Sequence, residues 1–413
     1  MHAATARRVE NALWGLFIGD ALSMPVHWYY DRKNITREFS RGVNGYEAPR
    51  HPHPESFMVG MSYRPDTDRA RELGRPYDIL HEHVRFYDAS YSPLEIDRGE
   101  REGQHGNAVP SIDERYHYHH GLQAGENTLG AHLVRVLLRS LASTGEYDPQ
   151  AFVDAFIHHL ATPGLNRDPY TEIYIRSWFE AYTRGAGIFD CAERQRRVWS
   201  IGSHGGMIRP MALSLFYPGD GYLATGMALE HQQLTHRSET VSGALAVAVP
   251  LLHDLVAGAR PNAALAAHAR ALRLPVVTGR ELFRAYRDHN GPDNIPDNEM
   301  WRLHTQLRQE PLDLEALVDR VPEQEAVMGV FATACYPEHG LPLALYLARA
   351  HDASVRASLL ANANAGGDNV HRGMVLGMLV GAATDAVPDD LKRGLVDADA
   401  IANEIDAAIT SAG

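Results

Sequence analysis

The Gly366-Gly367-Asp368 turn opens a helical segment carrying Gly373, Gly377 and Gly381 at spacing four. Paired glycines let a chain turn tightly and approach a ligand closely, and glycines four apart leave one helix face nearly bare. That combination aims the Asp368 carboxylate at a bound group; the plainer alternative is a cap on a tightly packed core helix. Four other clusters carry comparable chemistry. Gly19 to Trp28 (GDALSMPVHW) places Asp20 in a helix and puts His27 and Trp28 beyond the helix-stopping Pro25. Gly125-Glu126-Asn127-Thr128 stands at a helix start, where acids and amides also cap. Ser203 to Pro210 (SHGGMIRP) is a Gly-rich turn whose amides suit phosphate or sugar oxygens. Thr235-His236 precedes another helix, a place where histidine commonly serves as a structural hydrogen-bond partner.

The elements that must position these residues read as helices. Apolar residues recur at spacings of three and four through Val9–Leu22, Leu129–Leu141, Phe152–Leu160, Ile173–Tyr182, Met211–Leu215, Val241–Val256, Ala326–Ala334, Leu343–Ala350 and Val375–Ala383, without a matching set of alternating strands. Asp148-Pro149 reads as a cap with Pro at the first helical position, and Asp352 or Ser354 can open a helix to Leu360. The expectation is an all-α, compact single domain over residues 1–413. Residues 31–121, rich in Pro, His, Tyr, Arg and Asp, read as a loop-rich insertion forming an ordered flap over a cleft. Its His51, His53, His117, His119 and His120 fit the cleft or the surface equally.

Composition narrows the function classes. A formal net charge of -13 argues against nucleic-acid binding, leaving a small-molecule substrate as the expected partner. Two cysteines, Cys191 and Cys335, in no metal spacing, fit a reducing, cytoplasmic compartment. The apolar runs near Gly243–Leu252 and Met374–Ala383 read as too short and Gly-rich to span a membrane.

Taken in order, GDALSMPVH, GENT, SHGGMIRP, TH and GGDNVH resemble the ADP-ribosylglycohydrolase family, which includes the dinitrogenase-reductase-activating glycohydrolase and some lens crystallins. The resemblance spans essentially the whole chain. It implies an all-α fold whose helix ends surround a cleft, and hydrolysis of a glycosidic bond at a ribose anomeric carbon. It also implies that Asp20, His27, Trp28, His204, Gly205, Met207, His236, Gly366 and Gly367 contact substrate.

The family holds two magnesium ions with oxygen donors, and this chain departs from that pattern. Its ligand Glu is His27, its Thr-Asp-Asp is Gly125-Glu126-Asn127, and its final Asp and Thr are Val370 and His371, with Asp368 kept. A two-magnesium centre is therefore not expected. Two accounts remain. Either no metal binds and Glu126 with Asp368 acts as base and charge stabiliser, or His27, Glu126, Asn127, Asp368 and His371 supply ligands to a single divalent ion. The expected activity is hydrolysis of an N- or O-glycosidic bond in a ribosyl or related small substrate. The alternatives are acid/base chemistry on a small nitrogenous or carbonyl substrate, or a non-catalytic, ligand-binding or structural family member.

Overall fold

The structure, a computed structural model, describes residues 2–56, 58–87, 115–192, 203–275 and 309–411. Its helices are α1 (Ala3–Ser23), α2 (Arg32–Glu38), α3 (Thr67–Leu73), α4 (Leu129–Thr144), α5 (Pro149–Ala161), α6 (Ile173–Thr183), α7 (Gly205–Ser214), α8 (Gly221–Gln233), α9 (Glu239–Val256) and α10 (Pro261–Ala269). Then follow α11 (Leu314–Arg320), α12 (Pro337–Ala350), α13 (Val355–Ala365), α14 (Asn369–Ala382), α15 (Asp389–Arg393) and α16 (Ala398–Ser411). The fold is all-α; one antiparallel ribbon of three-residue strands pairs Arg273–Pro275 with Gln309–Pro311.

The centre is the crossing of α1 and α14, both buried along most of their length. A Cβ on Gly15 would lie 2.0 Å from the Gly377 carbonyl oxygen, one on Gly19 would lie 2.1 Å from that of Gly373, and one on Gly381 would lie 2.2 Å from that of Asn11. These contacts step by four residues in opposite directions, so the helices run antiparallel with backbones touching. The C-terminal end of α1 therefore meets the N-terminal end of α14, and His27 arrives beside Asp368. Helices α7, α9, α12 and α13 pack round α14, and α4 and α16 close the α1 side.

The start signals read from sequence hold. Asp148 accepts hydrogen bonds from Gln150 N and Ala151 N, with Pro149 opening α5, and Ser354 caps α13, which continues to Ala365. α1 gives way at Met24–Val26 to a 3-10 turn containing Pro25. The helix expected over Ala326–Ala334 does not form: Val327 is extended and Met328 has a φ of 67°. The segment instead leaves its backbone to brace the Gly-Gly-Asp turn, described below. Helix α9 extends beyond its apolar run to 18 residues, long and apolar enough by length and composition alone to cross a membrane, a test that a buried core helix also passes. Half of it is buried inside the protein.

The insertion is built rather than loose where it is described. It carries α2 and α3, each capped by an aspartate, Asp31 and Asp66, and buries His53, His117 and His119, while His51 is exposed and His120 half-buried. The part of the expected flap at 88–114 lies outside the described residues.

The glycine seam gives a direct test. Gly377→Ala pushes a methyl group into backbone that cannot yield, and should cost about 3 kcal/mol in urea unfolding. Gly226→Ala, on the exposed face of α8 with open space around it, should instead stabilise by about 0.5 to 1 kcal/mol.

Candidate functional site

The Gly-Gly-Asp turn is held from both sides. Gly366 and Gly367 have φ of 67° and 66°, a left-handed conformation that glycine adopts without penalty. A Cβ on Gly366 would lie 2.2 Å from Tyr29 O, and one on Gly367 would lie 2.1 Å from Thr333 O. Gly367 N donates to Tyr29 O, Trp28 N to Gly367 O, and Asp368 N to Thr333 O. Beneath the turn the fully buried Arg372 donates through Nε to Asn362 Oδ1 at 2.7 Å and through its guanidinium to Gly366 O at 2.8 Å. Burial lowers that guanidinium to about 10.

Asp368 stands at the N-cap position of α14 yet makes no side-chain cap hydrogen bond. Its carboxylate faces histidines instead. Oδ1 lies 3.1 Å from His27 Nε2 and 2.7 Å from His371 Nδ1. Oδ2 lies 3.5 Å from His204 Nε2 and, although buried, takes no hydrogen bond. His204 Nε2 donates to the Asp368 backbone oxygen. The rings of His27 and His371 meet edge to face with centroids 5.6 Å apart, so residues separated by most of the chain converge on one carboxylate.

The network runs on in both directions. His27 Nδ1 is 2.7 Å from His119 Nε2, and His119 Nδ1 is 2.9 Å from Asp168 Oδ1. Asp168 Oδ2 accepts from Leu129 N, the first residue of α4, where the positive end of the helix favours an anion. On the other side His371 Nε2 lies 3.2 Å from Glu172 Oε1. The result is a continuous buried series, Asp168, His119, His27, Asp368, His371 and Glu172, whose last member is partly exposed.

Its electrostatics follow from burial. Desolvation would raise the Asp368 carboxyl, but the imidazoles of His371 and His204 and the His27 contact outweigh it and hold it well below the ordinary carboxylate range. Desolvation likewise opposes charge on His371, yet Asp368 and Glu172 raise it well above the ordinary value. His27, dominated by burial, falls to about 3.

The other residues expected at the site have varied fates. Trp28 is half-buried with a φ of 66°, an outlier for a bulky residue that marks a constrained position. It stacks on His27 at 4.8 Å, and its Nε1 is buried without a hydrogen-bond partner. Gly205 opens α7 against Glu172 and His371. The amides of Gly206 and Met207 are spent on Ser203 O and His204 O, so they do not await phosphate oxygens, and the Met207 side chain is buried in the core. His236 is buried against Tyr174, with Nδ1 at 2.9 Å from the Thr235 hydroxyl. Asp20 is structural: fully buried, it accepts from Asn127 Nδ2, Thr128 N and Thr128 Oγ1, fastening α4 to α1.

Glu126 belongs elsewhere. Its carboxylate accepts from Gln123 N and pairs with Arg167 at 3.2 Å, so the expected pairing with Asp368 is not made. Among the described residues, the group of three whose possible ligand atoms all lie within 4.8 Å of one another is His27, Asp368 and His371. The two-magnesium donor set does not fit here. Val370 has no donor atom, Asn127 donates its Nδ2 to Phe17 O and Asp20, outside the group formed by His27, Asp368 and His371, and Glu126 is turned away. Asp168, Glu172 and Arg372 were not among the residues singled out from sequence. Asp168 and Glu172, four apart in the short NRDPYTE connection between α5 and α6 and flanking Tyr170, are the signal that points to them.

A model of the ADP-ribosylglycohydrolase family matches residues 1–412. Among solved structures, one described as an ADP-ribosylglycohydrolase-related protein complex is similar over 100% of both chains, with a TM-score of 0.54 and 16% identity, a likeness of fold. No curated protein matches the sequence.

Arg372→Met removes the charged donor under the turn and leaves the Asn362 and Gly366 oxygens unpaired in the core. Unfolding should show a loss of about 3 to 5 kcal/mol; a change below about 1 kcal/mol would mean the turn stands without it.

Proposed function

This chain belongs to the ADP-ribosylglycohydrolase family, and we propose that it hydrolyses an N- or O-glycosidic bond in a ribosyl or related small substrate, with the reaction organised round Asp368. The carrying observation is the uncommitted Oδ2 of a buried carboxylate whose other oxygen faces two imidazoles. Burying an ion costs several kcal/mol, and leaving one of its oxygens without a hydrogen bond makes sense where a ligand completes it.

Glycosidic cleavage builds positive charge at the anomeric carbon and ring oxygen. An ionised Asp368 stabilises that charge or accepts the hydrogen of an attacking water through Oδ2. Glu172, joined to Asp368 through His371, supplies a second carboxylate on the more open side. It takes the place that sequence reading gave to Glu126. Half-buried Trp28, Tyr30 and Tyr170 form an aromatic wall suited to a sugar or base face, and Trp28 Nε1 is a buried donor available to a substrate oxygen. The partner is thus a small molecule.

The test is turnover of a panel of nucleosides, p-nitrophenyl ribosides and N- and O-linked ADP-ribosyl compounds. On whichever substrate is cleaved, Asp368→Asn should lower kcat by about 10²- to 10⁴-fold with an unchanged circular dichroism spectrum, and Trp28→Phe should raise KM about tenfold. Undiminished turnover by Asp368→Asn would remove Asp368 from the chemistry. Thermal stabilisation by ADP-ribose without turnover of any panel member would replace the hydrolase reading with ligand binding.

A further inference from the structure

We infer that His27 Nε2, Asp368 Oδ1 and His371 Nδ1 together bind one divalent transition-metal ion, a two-imidazole, one-carboxylate site in place of the family's oxygen-only magnesium centre. It deepens the hydrolase reading and rests on it only for what the ion would act upon. The three donor atoms lie within 4.8 Å of one another and all three residues are buried.

Asp168 and Glu172, as carboxylates, accept hydrogen bonds and do not donate. Asp168 therefore takes the hydrogen of His119 Nδ1, at 2.9 Å. His119 Nε2 faces His27 Nδ1 at 2.7 Å. His27 Nε2 in turn faces Asp368 Oδ1 at 3.1 Å. On the other side Glu172 takes the hydrogen of His371 Nε2, at 3.2 Å, and His371 Nδ1 lies 2.7 Å from the same Asp368 oxygen. Three possible ligand atoms thus converge, and each imidazole has its second ring nitrogen turned to another group of the protein.

The His371 contact is out of line for a hydrogen bond: at 2.7 Å from Asp368, Nδ1 still has no hydrogen-bond partner. Two ligands of one ion meet in that way, close together and not collinear through a hydrogen.

The surroundings match a metal site as well. Metal-binding imidazoles usually give their second ring hydrogen to a carboxylate or carbonyl, which fixes tautomer and orientation. Here His371 gives its to Glu172, and His27 reaches Asp168 through His119. By contrast, His53 and His117, buried close by, spend both ring nitrogens on backbone groups. Imidazole ligands turn preference from magnesium toward zinc, manganese, iron, cobalt or nickel. Three protein donors leave positions for water or a substrate oxygen, with Asp368 Oδ2 free to accept from that water.

The experiment reads the ion itself. The full-length protein is dialysed to equilibrium against manganese, cobalt, nickel or zinc chloride, metal per chain is measured, and the visible absorption of the cobalt form is recorded. The expected result is one ion per chain, a cobalt spectrum abolished by zinc but unaffected by magnesium, and loss of both in His371→Gln. Should that variant fail to fold, Glu172→Gln and Asp168→Asn keep the three ligands and should weaken affinity by about 10- to 100-fold. Absence of binding for all four ions, displacement by magnesium, or unchanged affinity in Glu172→Gln and Asp168→Asn would overturn the site. An ion bound without turnover of any glycoside would sink the hydrolase reading and leave the site standing, whereas full turnover with no ion bound would do the reverse.

Discussion

The contact between the backbones of α1 and α14 is the constraint on which the rest depends. Three glycines on α14 meet Asn11, Gly15 and Gly19 of α1, with no room for a side chain between the helices. Close-packed interiors transmit displacements rather than absorb them, so an antiparallel pair locked at this distance has one axial register. That register sets the end of α1 against the start of α14, and with it the Tyr29–Gly367 and Trp28–Gly367 backbone hydrogen bonds that shape the turn under Asp368. The site is thus built from the meeting of two chain ends of a seam.

Electrostatics take over where the seam ends. Asp20, Asp168 and Asp368 are all buried, and each is compensated differently. Asp20 has hydroxyl, amide and backbone donors from the start of α4. Asp168 divides its oxygens between that same helix start and His119. Asp368 alone faces mainly imidazoles and keeps one oxygen unsatisfied. Fully satisfied networks rigidify a core, and partly satisfied ones are strained. The unsatisfied member marks where the protein's own groups stop and something else must enter.

Much of this was legible in the chain. The order of five short motifs gave the fold, and Asp368, His27 and His371 were read as neighbours from that order. Helix starts followed from Asp148-Pro149 and Ser354, because capping is local chemistry. What failed was non-local. Glu126 has the right type in the right motif, but Arg167 and Gln123 N hold it away. Asp20 is consumed by packing two helices together. Ala326–Ala334 has helical periodicity, yet its Thr333 carbonyl accepts from Asp368 N in the turn, and tertiary context overrode local preference. Asp168, His119 and Glu172 matter through partners more than thirty residues away, a relation that no window of sequence displays.

The double duty of Asp168 bears on how such a site can arise. One of its oxygens caps α4 and the other orients His119, which in turn orients His27. Restoring the family's glutamate at position 27 alone would set a second buried carboxylate against Asp368 and strand the His119 ring, while altering Asp168 to suit would uncap a core helix. His27, His119 and Asp168 are therefore one coupled unit, in which a change at any one of the three disturbs the other two and the start of α4.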